Sequence, residues 1–107
     1  MGCTFGPVTL LNGVTGTGAG STVDLGGVFN DFSMISWATG SGNAGLKIEG
    51  SHDGSHWTFL TNVTPSGGGS VDYTNLNGGP YVRYLRGSCT GIDSGVAATV
   101  TVVTARF

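Results

Sequence analysis

The segment Leu46 to Leu60, LKIEGSHDGSHWTFL, constrains the fold of this chain more than any other. Leu46, Ile48 and Gly50 alternate with Lys47, Glu49 and Ser51, the period of two that a half-buried strand requires. After His52-Asp53-Gly54-Ser55 a second run follows at once, His56-Trp57-Thr58-Phe59-Leu60. Asp-Gly between two such runs marks a tight β-hairpin, because glycine takes positive φ freely and aspartate tolerates it better than most residues. Asp53, Gly54 and Trp57 are therefore the hairpin's structural residues. Trp57 and Phe59, on one side of their strand, are expected to lean on Ile48 across it.

Helices have little to be built from. Only 9% of the 107 residues are charged, with one lysine (Lys47) and one glutamate (Glu49), so the long side chains that cover exposed helical faces are nearly absent. The 21 glycines, with Ser, Thr and Asn, punctuate short extended runs instead. Pro7–Leu11, Ser21–Leu25, Asp31–Thr39, the two arms of the hairpin, Val71–Tyr73, Tyr81–Arg86 and Val96–Phe107 each read as a strand. In the last, Val96, Ala98, Val100 and Val102 alternate with Ala97, Thr99, Thr101 and Val103. About eight strands at this spacing predict an all-β chain, a jelly-roll-like antiparallel β-sandwich. One domain, 1–107, is expected, with residues 1–7 a loose N-terminal arm and Asn12 to Gly20 a flexible connection.

Charge and composition exclude several functions. A net charge of −2 gives no cationic footprint for nucleic acid. No run approaches the roughly 18 apolar residues of a membrane-spanning helix. Met1-Gly2-Cys3 leads into Phe5-Gly6-Pro7 without a basic start or an apolar core, so synthesis in the host cytoplasm without a signal peptide is expected. Cys3 and Cys89 admit one disulfide; in a chain read as unexported, free thiols are preferred.

His52, Asp53 and His56 form the one cluster that resembles a metal or acid–base site. A third protein ligand is missing nearby, and a solvated loop tip is the preferred reading, so no metal is expected. The aspartates Asp24, Asp31, Asp53, Asp72 and Asp93 are scattered and show no calcium loop. No nucleophile elbow, phosphate-binding glycine loop or close carboxylate pair is present. No catalytic activity and no cofactor are expected. Trp57 and Tyr84 are assigned to the core by the alternation around them, and Trp37 is left open as a stacking or packing residue. Arg83 and Arg86 fall on opposite faces of an ideal strand, and one is expected to pair with an acid such as Glu49.

One strand carries apolar groups on both faces: Phe32 and Met34 on one, Ile35 and Trp37 on the other. A single sandwich core covers one of those faces, which leaves the second for another subunit. Phe5, Phe32, Met34, Ile35 and Trp37 are the residues from which such a subunit or capsid interface would be drawn.

Ser51-His52-Asp53-Gly54-Ser55-His56-Trp57, followed by Tyr81-Val82-Arg83-Tyr84-Leu85-Arg86, resembles the SxDGxxW and RYxR elements of discoidin-like β-sandwiches. The chain is shorter than a standard discoidin domain and lacks its paired terminal cysteines. It looks more like the small β-sandwich proteins of tailed-phage virions, over about Ser21 to Thr104. That resemblance implies a bacteriophage structural protein, a capsid decoration (cement) protein on the virion surface, with the major capsid protein as partner. It also implies self-association, as a homotrimer first and a dimer second. A carbohydrate-binding module, with a glycan as ligand, and a tail or baseplate module are the alternatives.

Overall fold

The computed structural model describes residues 3–68 and 71–106, with side chains from Pro7 to Gly68 and from Val71 to Val103. Among these there is no helix; nine strands run in chain order. They are β1 (Cys3–Val14), β2 (Gly18–Ala19), β3 (Val23–Phe29), β4 (Phe32–Thr39), β5 (Ala44–Ser51), β6 (Trp57–Val63), β7 (Val71–Leu76), β8 (Val82–Ile92) and β9 (Ala97–Arg106). Sheet A has the order β1-β9-β4-β7; sheet B has β2-β8-β5-β6, with β3 also paired to β8. Every pairing is antiparallel. The expected β-sandwich is the fold.

After β3 the chain crosses repeatedly between the sheets, so β5–β6 is the only sheet pairing between consecutive strands among the described residues. Alternation then sorts the side chains. On β4, Phe32, Met34, Ser36 and Ala38 point into the sandwich; on β9, Ala98, Val100 and Val102 do the same. From sheet B, Leu46, Ile48, Leu85 and Cys89 close the core against them. Cys89 is a buried free thiol that packs as a small apolar residue.

Several expectations change. The arm expected over residues 1–7 is, from Cys3 onward, part of β1, with Cys3 opposite Arg106 and Phe5 opposite Thr104 on β9. Met1 and Gly2 lie outside the described residues. The Asn12–Gly20 connection is partly ordered: β2 pairs Gly18 with Cys89 and Ala19 with Ser88. Two residues carry no readable periodicity, which is why β2 is invisible in the sequence. Strand β8 runs through Cys89 to Ile92, well past the expected end at Arg86.

The largest correction concerns the hairpin. A two-residue Asp53-Gly54 turn would set Phe59 against Ile48. Instead residues 52–56 form the loop, with Ser51 opposite Trp57 and Glu49 opposite Phe59. A one-residue change of register moves every side chain to the other face. Trp57 and Phe59 therefore stand on the outer surface of sheet B, and Phe59 is 54% exposed. The register slips again after Phe59, so that Thr61 and Val63 lie opposite Ile48 and Leu46, and Val63 is buried. Tyr84, opposite Ser51, shares that outer face and is only half-buried, so neither Trp57 nor Tyr84 is a core residue.

Candidate functional site

Two surfaces hold the residues that the sequence marks, one at the tip of the hairpin and one across sheet A. At the tip, Asp53 is the organiser. Its Oδ1 accepts the backbone N–H groups of Ser55 at 2.8 Å and His56 at 2.9 Å, and its Oδ2 lies 2.7 Å from His56 Nδ1. Ser51 supports the same loop, its hydroxyl accepting the N–H of Gly54 at 2.9 Å and donating to Asp53 at 3.0 Å. These bonds explain the loop length: the carboxylate gathers the residues after the turn, and the strand restarts only at Trp57. The His56 N–H, then the Ser55 N–H, then the His56 ring hold the Asp53 carboxyl far below the usual carboxylate range. Gly54 has φ of 81°, which an L side chain adopts only with strain.

The loop borders an open pocket of about 320 Å³, lined by Gly50, Ser51, His52, Asp53, His56, Trp57, Thr58 and Val82. His52 Nε2 donates to the Tyr81 carbonyl at 2.7 Å, so the two histidines are engaged with different partners. No group of three metal-ligating side chains comes together among the described residues. An Asp53 carboxylate saturated by donors is a poor proton acceptor, and no second acid lines the pocket with it.

Behind Trp57 the outer face of sheet B is a charged ladder. Arg86 Nε donates to Glu49 Oε1 at 3.0 Å, Lys47 Nζ lies 3.7 Å from Glu49 Oε2, and the Arg86 guanidinium sits over the Trp57 ring. Arg83 makes a two-pronged pair with Asp24, at 2.9 and 3.1 Å. That pair and the Gly26 N–H hold the Asp24 carboxyl below its ordinary range. Arg83 reaches Asp24, whose strand partner is Tyr84, because the β3–β8 register is irregular beyond that pair. Lys47, Arg83 and Arg86 are thus each taken up by an acid.

The outer face of sheet A has the opposite character. Ile35 stands between Tyr73 of β7 and Thr101 of β9; Trp37 stands between Val71 and Thr99; Ser33 stands between Asn75 and Val103. Ile35 is 40% exposed, Val71 62% and Tyr73 63%, and Trp37 is half-buried beside them. None of these outward positions on β4, β7 and β9 bears a charge. Of the residues expected at an interface, Ile35 and Trp37 lie here. Phe32 and Met34 are core residues, 3% and 1% exposed, because they occupy the inward phase of β4. The Phe5 side chain lies outside the described residues. Tyr73 and Val71 were missed as surface partners of Ile35 and Trp37; the signal was the alternation of VDYTNL, too short to orient without β4.

No family model matches the chain, and no curated protein matches it. Solved structures do. The SPBc2 prophage-derived protein YomS is similar over 99% of this chain and 96% of its own, at 10% identity and a TM-score of 0.65. CpGH89CBM32-5 from Clostridium perfringens, solved in complex with GalNAc-β-1,3-galactose, matches over 95% and 93%, at 11% identity and a TM-score of 0.56. The PBSX exported protein XepA matches over 97% of this chain but 36% of its own, at 16% identity and a TM-score of 0.51. At these identities the likeness is one of fold: this chain shares the β-sandwich of phage-derived proteins and of carbohydrate-binding-module-like domains.

Proposed function

We propose that this chain is a non-enzymatic structural protein of a phage virion, a capsid decoration protein that binds the major capsid protein through the outer face of sheet A. The observation that carries the reading is the uncharged band of Ile35, Trp37, Val71 and Tyr73. Apolar side chains scattered singly on a surface need no explanation, but a contiguous band across two neighbouring strands marks a contact. The near-complete overlap with a prophage-derived β-sandwich of the same size supports the virion setting through fold. The assembled form is a homo-oligomer, arranged about a three-fold or a two-fold axis of the capsid surface, where several modest contacts add to high avidity.

The test is cosedimentation with purified capsids of the parent phage. Trp37→Ser and Ile35→Asn are expected to lose capsid retention while the circular dichroism spectrum is unchanged. Undiminished retention of both variants overturns the assignment to this face.

The hairpin-tip pocket supports a second reading, a glycan-binding module. Trp57 offers part of a ring and His52 and His56 offer polar edges around an open depression, the mixture that sugar recognition uses. Retention on a glycan column that is abolished by Trp57→Ala, in a chain with no affinity for capsids, decides for that reading.

A further inference from the structure

Sheet edges expose unpaired backbone N–H and C=O groups, and proteins protect them with bulges, prolines, charges or short strands. Three of the four edges here are protected. Strand β1 contains Pro7 and has register shifts between Phe5 and Val8, Thr9 and Leu11, and Leu11 and Val14. Strand β6 has its shift between the Glu49 and Ile48 pairs. The remaining edge of sheet B is divided between the short β2 and the irregular β3. Strand β7 differs. It pairs with β4 in unbroken register from Phe32–Leu76 to Trp37–Val71, contains no proline, and carries a single charge, Asp72, on its inward phase opposite Ser36. Its outward side chains, Val71 and Tyr73, are the most exposed large hydrophobics of the described residues.

We infer that β7 is a self-pairing edge, joining two copies of this chain antiparallel about a two-fold axis that passes beside Tyr73. The inference deepens the homo-oligomer of the proposed reading: it names the β7 edge as the contact between two copies and leaves the outer face of sheet A to the capsid. The sequence Val71-Asp72-Tyr73-Thr74-Asn75 is self-complementary in this register. Paired residues in an antiparallel ladder share a face, so Tyr73 meets Tyr73 of the second copy, Asp72 meets Thr74, and Val71 meets Asn75. A shift of two residues one way sets Asp72 against Asp72, like charges directly opposed. A shift the other way sets Asp72 against Leu76. The favoured register leaves no charge unaccommodated, since the Thr74 hydroxyl can donate to Asp72. It also continues the apolar band without a break, as Ile35, Tyr73, Tyr73 and Ile35 across the two copies. The net charge of −2 per chain opposes the association only weakly.

The test uses paired charges at the axis. Sedimentation of the parent chain is expected to show a dimer. Tyr73→Lys and Tyr73→Glu should each halve the sedimenting mass with the far-UV spectrum intact, because Tyr73 is exposed and each variant opposes like charges. An equimolar mixture of the two should restore the dimer. A parent that is monomeric at every concentration, a Tyr73→Lys chain that stays dimeric, or a mixture that stays monomeric overturns the inference. Capsid cosedimentation is read in parallel. A dimer with no capsid affinity leaves β7 pairing standing and removes the virion reading, whereas a monomer retained on capsids does the reverse.

Discussion

The Arg86 guanidinium lies 4.3 Å from the centre of the Trp57 ring while its Nε donates to Glu49 at 3.0 Å. Three strands meet in that arrangement: β8 supplies the cation, β6 the ring and β5 the acid. It is also where the hairpin register takes effect, since only the outward phase of β6 brings Trp57 to Arg86.

Arg86→Ala removes the ring stack and the short bond to Glu49, a residue only 9% exposed and then left with Lys47 at 3.7 Å. A loss of about 1–3 kcal/mol is expected in chemical denaturation, from one cation–π contact and one charge-assisted hydrogen bond. Arg86→Lys should recover only part of it, because a lysine cannot stack a planar fork on the ring. Equal midpoints for Arg86→Ala and the parent would show that the ladder adds nothing.

The Asp53 loop predicts acid sensitivity. Asp53 is held below the usual carboxylate range by the His56 and Ser55 N–H groups, and Asp24 by Arg83. A group whose folded pKa is depressed stabilises the fold above its unfolded pKa, about 3.9 for aspartate. That contribution is lost as pH falls through the folded value. The melting temperature should therefore hold from neutrality to about pH 5 and drop steadily below about pH 4. Asp53→Asn should flatten the drop, and an unchanged profile in that variant would remove Asp53 from the explanation.

Much of the sandwich was legible because alternation is a local signal. Phe32 and Met34 against Ile35 and Trp37, or Val100 and Val102 against Thr99 and Thr101, sort into inner and outer faces as read. What could not be read were quantities fixed by long-range partners. Trp57 went to the wrong face because loop length depends on how Asp53 gathers the N–H groups beyond the turn. Tyr84 followed it, being ordered by its pairing with Ser51. Cys3–Pro7 looked loose because its regularity is borrowed from β9. The outer band was half legible: Ile35 and Trp37 were visible, but their adjacency to Val71 and Tyr73 exists only through the β4–β7 register.

Ser36 offers a test of the core. Its side chain points inward from β4, is 1% exposed, and its hydroxyl has no hydrogen-bond partner among the described residues. A buried hydroxyl without a partner costs about 1–3 kcal/mol relative to one that is satisfied. Ser36→Ala should therefore be neutral or stabilising by up to about 1 kcal/mol, unlike most core truncations. A clear loss of stability in urea would mean that the hydroxyl is bonded in solution.

Two glycines of the same hairpin are required for different reasons, and substitution separates them. At Gly54 the backbone decides. With φ of 81° a side chain is strained, although a Cβ would find only the Tyr84 ring, at an ordinary 3.9 Å. Gly54→Val should cost about 1 kcal/mol or more, Gly54→Asn less, and Ser55→Ala almost nothing. At Gly50 the space decides. A Cβ there would stand 2.7 Å from Val82 Cγ1 and 2.9 Å from Cγ2, inside the sandwich where Val82 is buried. Gly50→Ala should cost about 1–3 kcal/mol by overpacking. Val82→Ala removes the two Cγ contacts and leaves only its Cβ, at 3.0 Å, so it should relieve most of the clash and the double variant should lose less than the two single losses combined. No such coupling is expected between Gly54→Val and Val82→Ala. Additive losses for Gly50→Ala and Val82→Ala would show that β5 and β8 do not press together at this point.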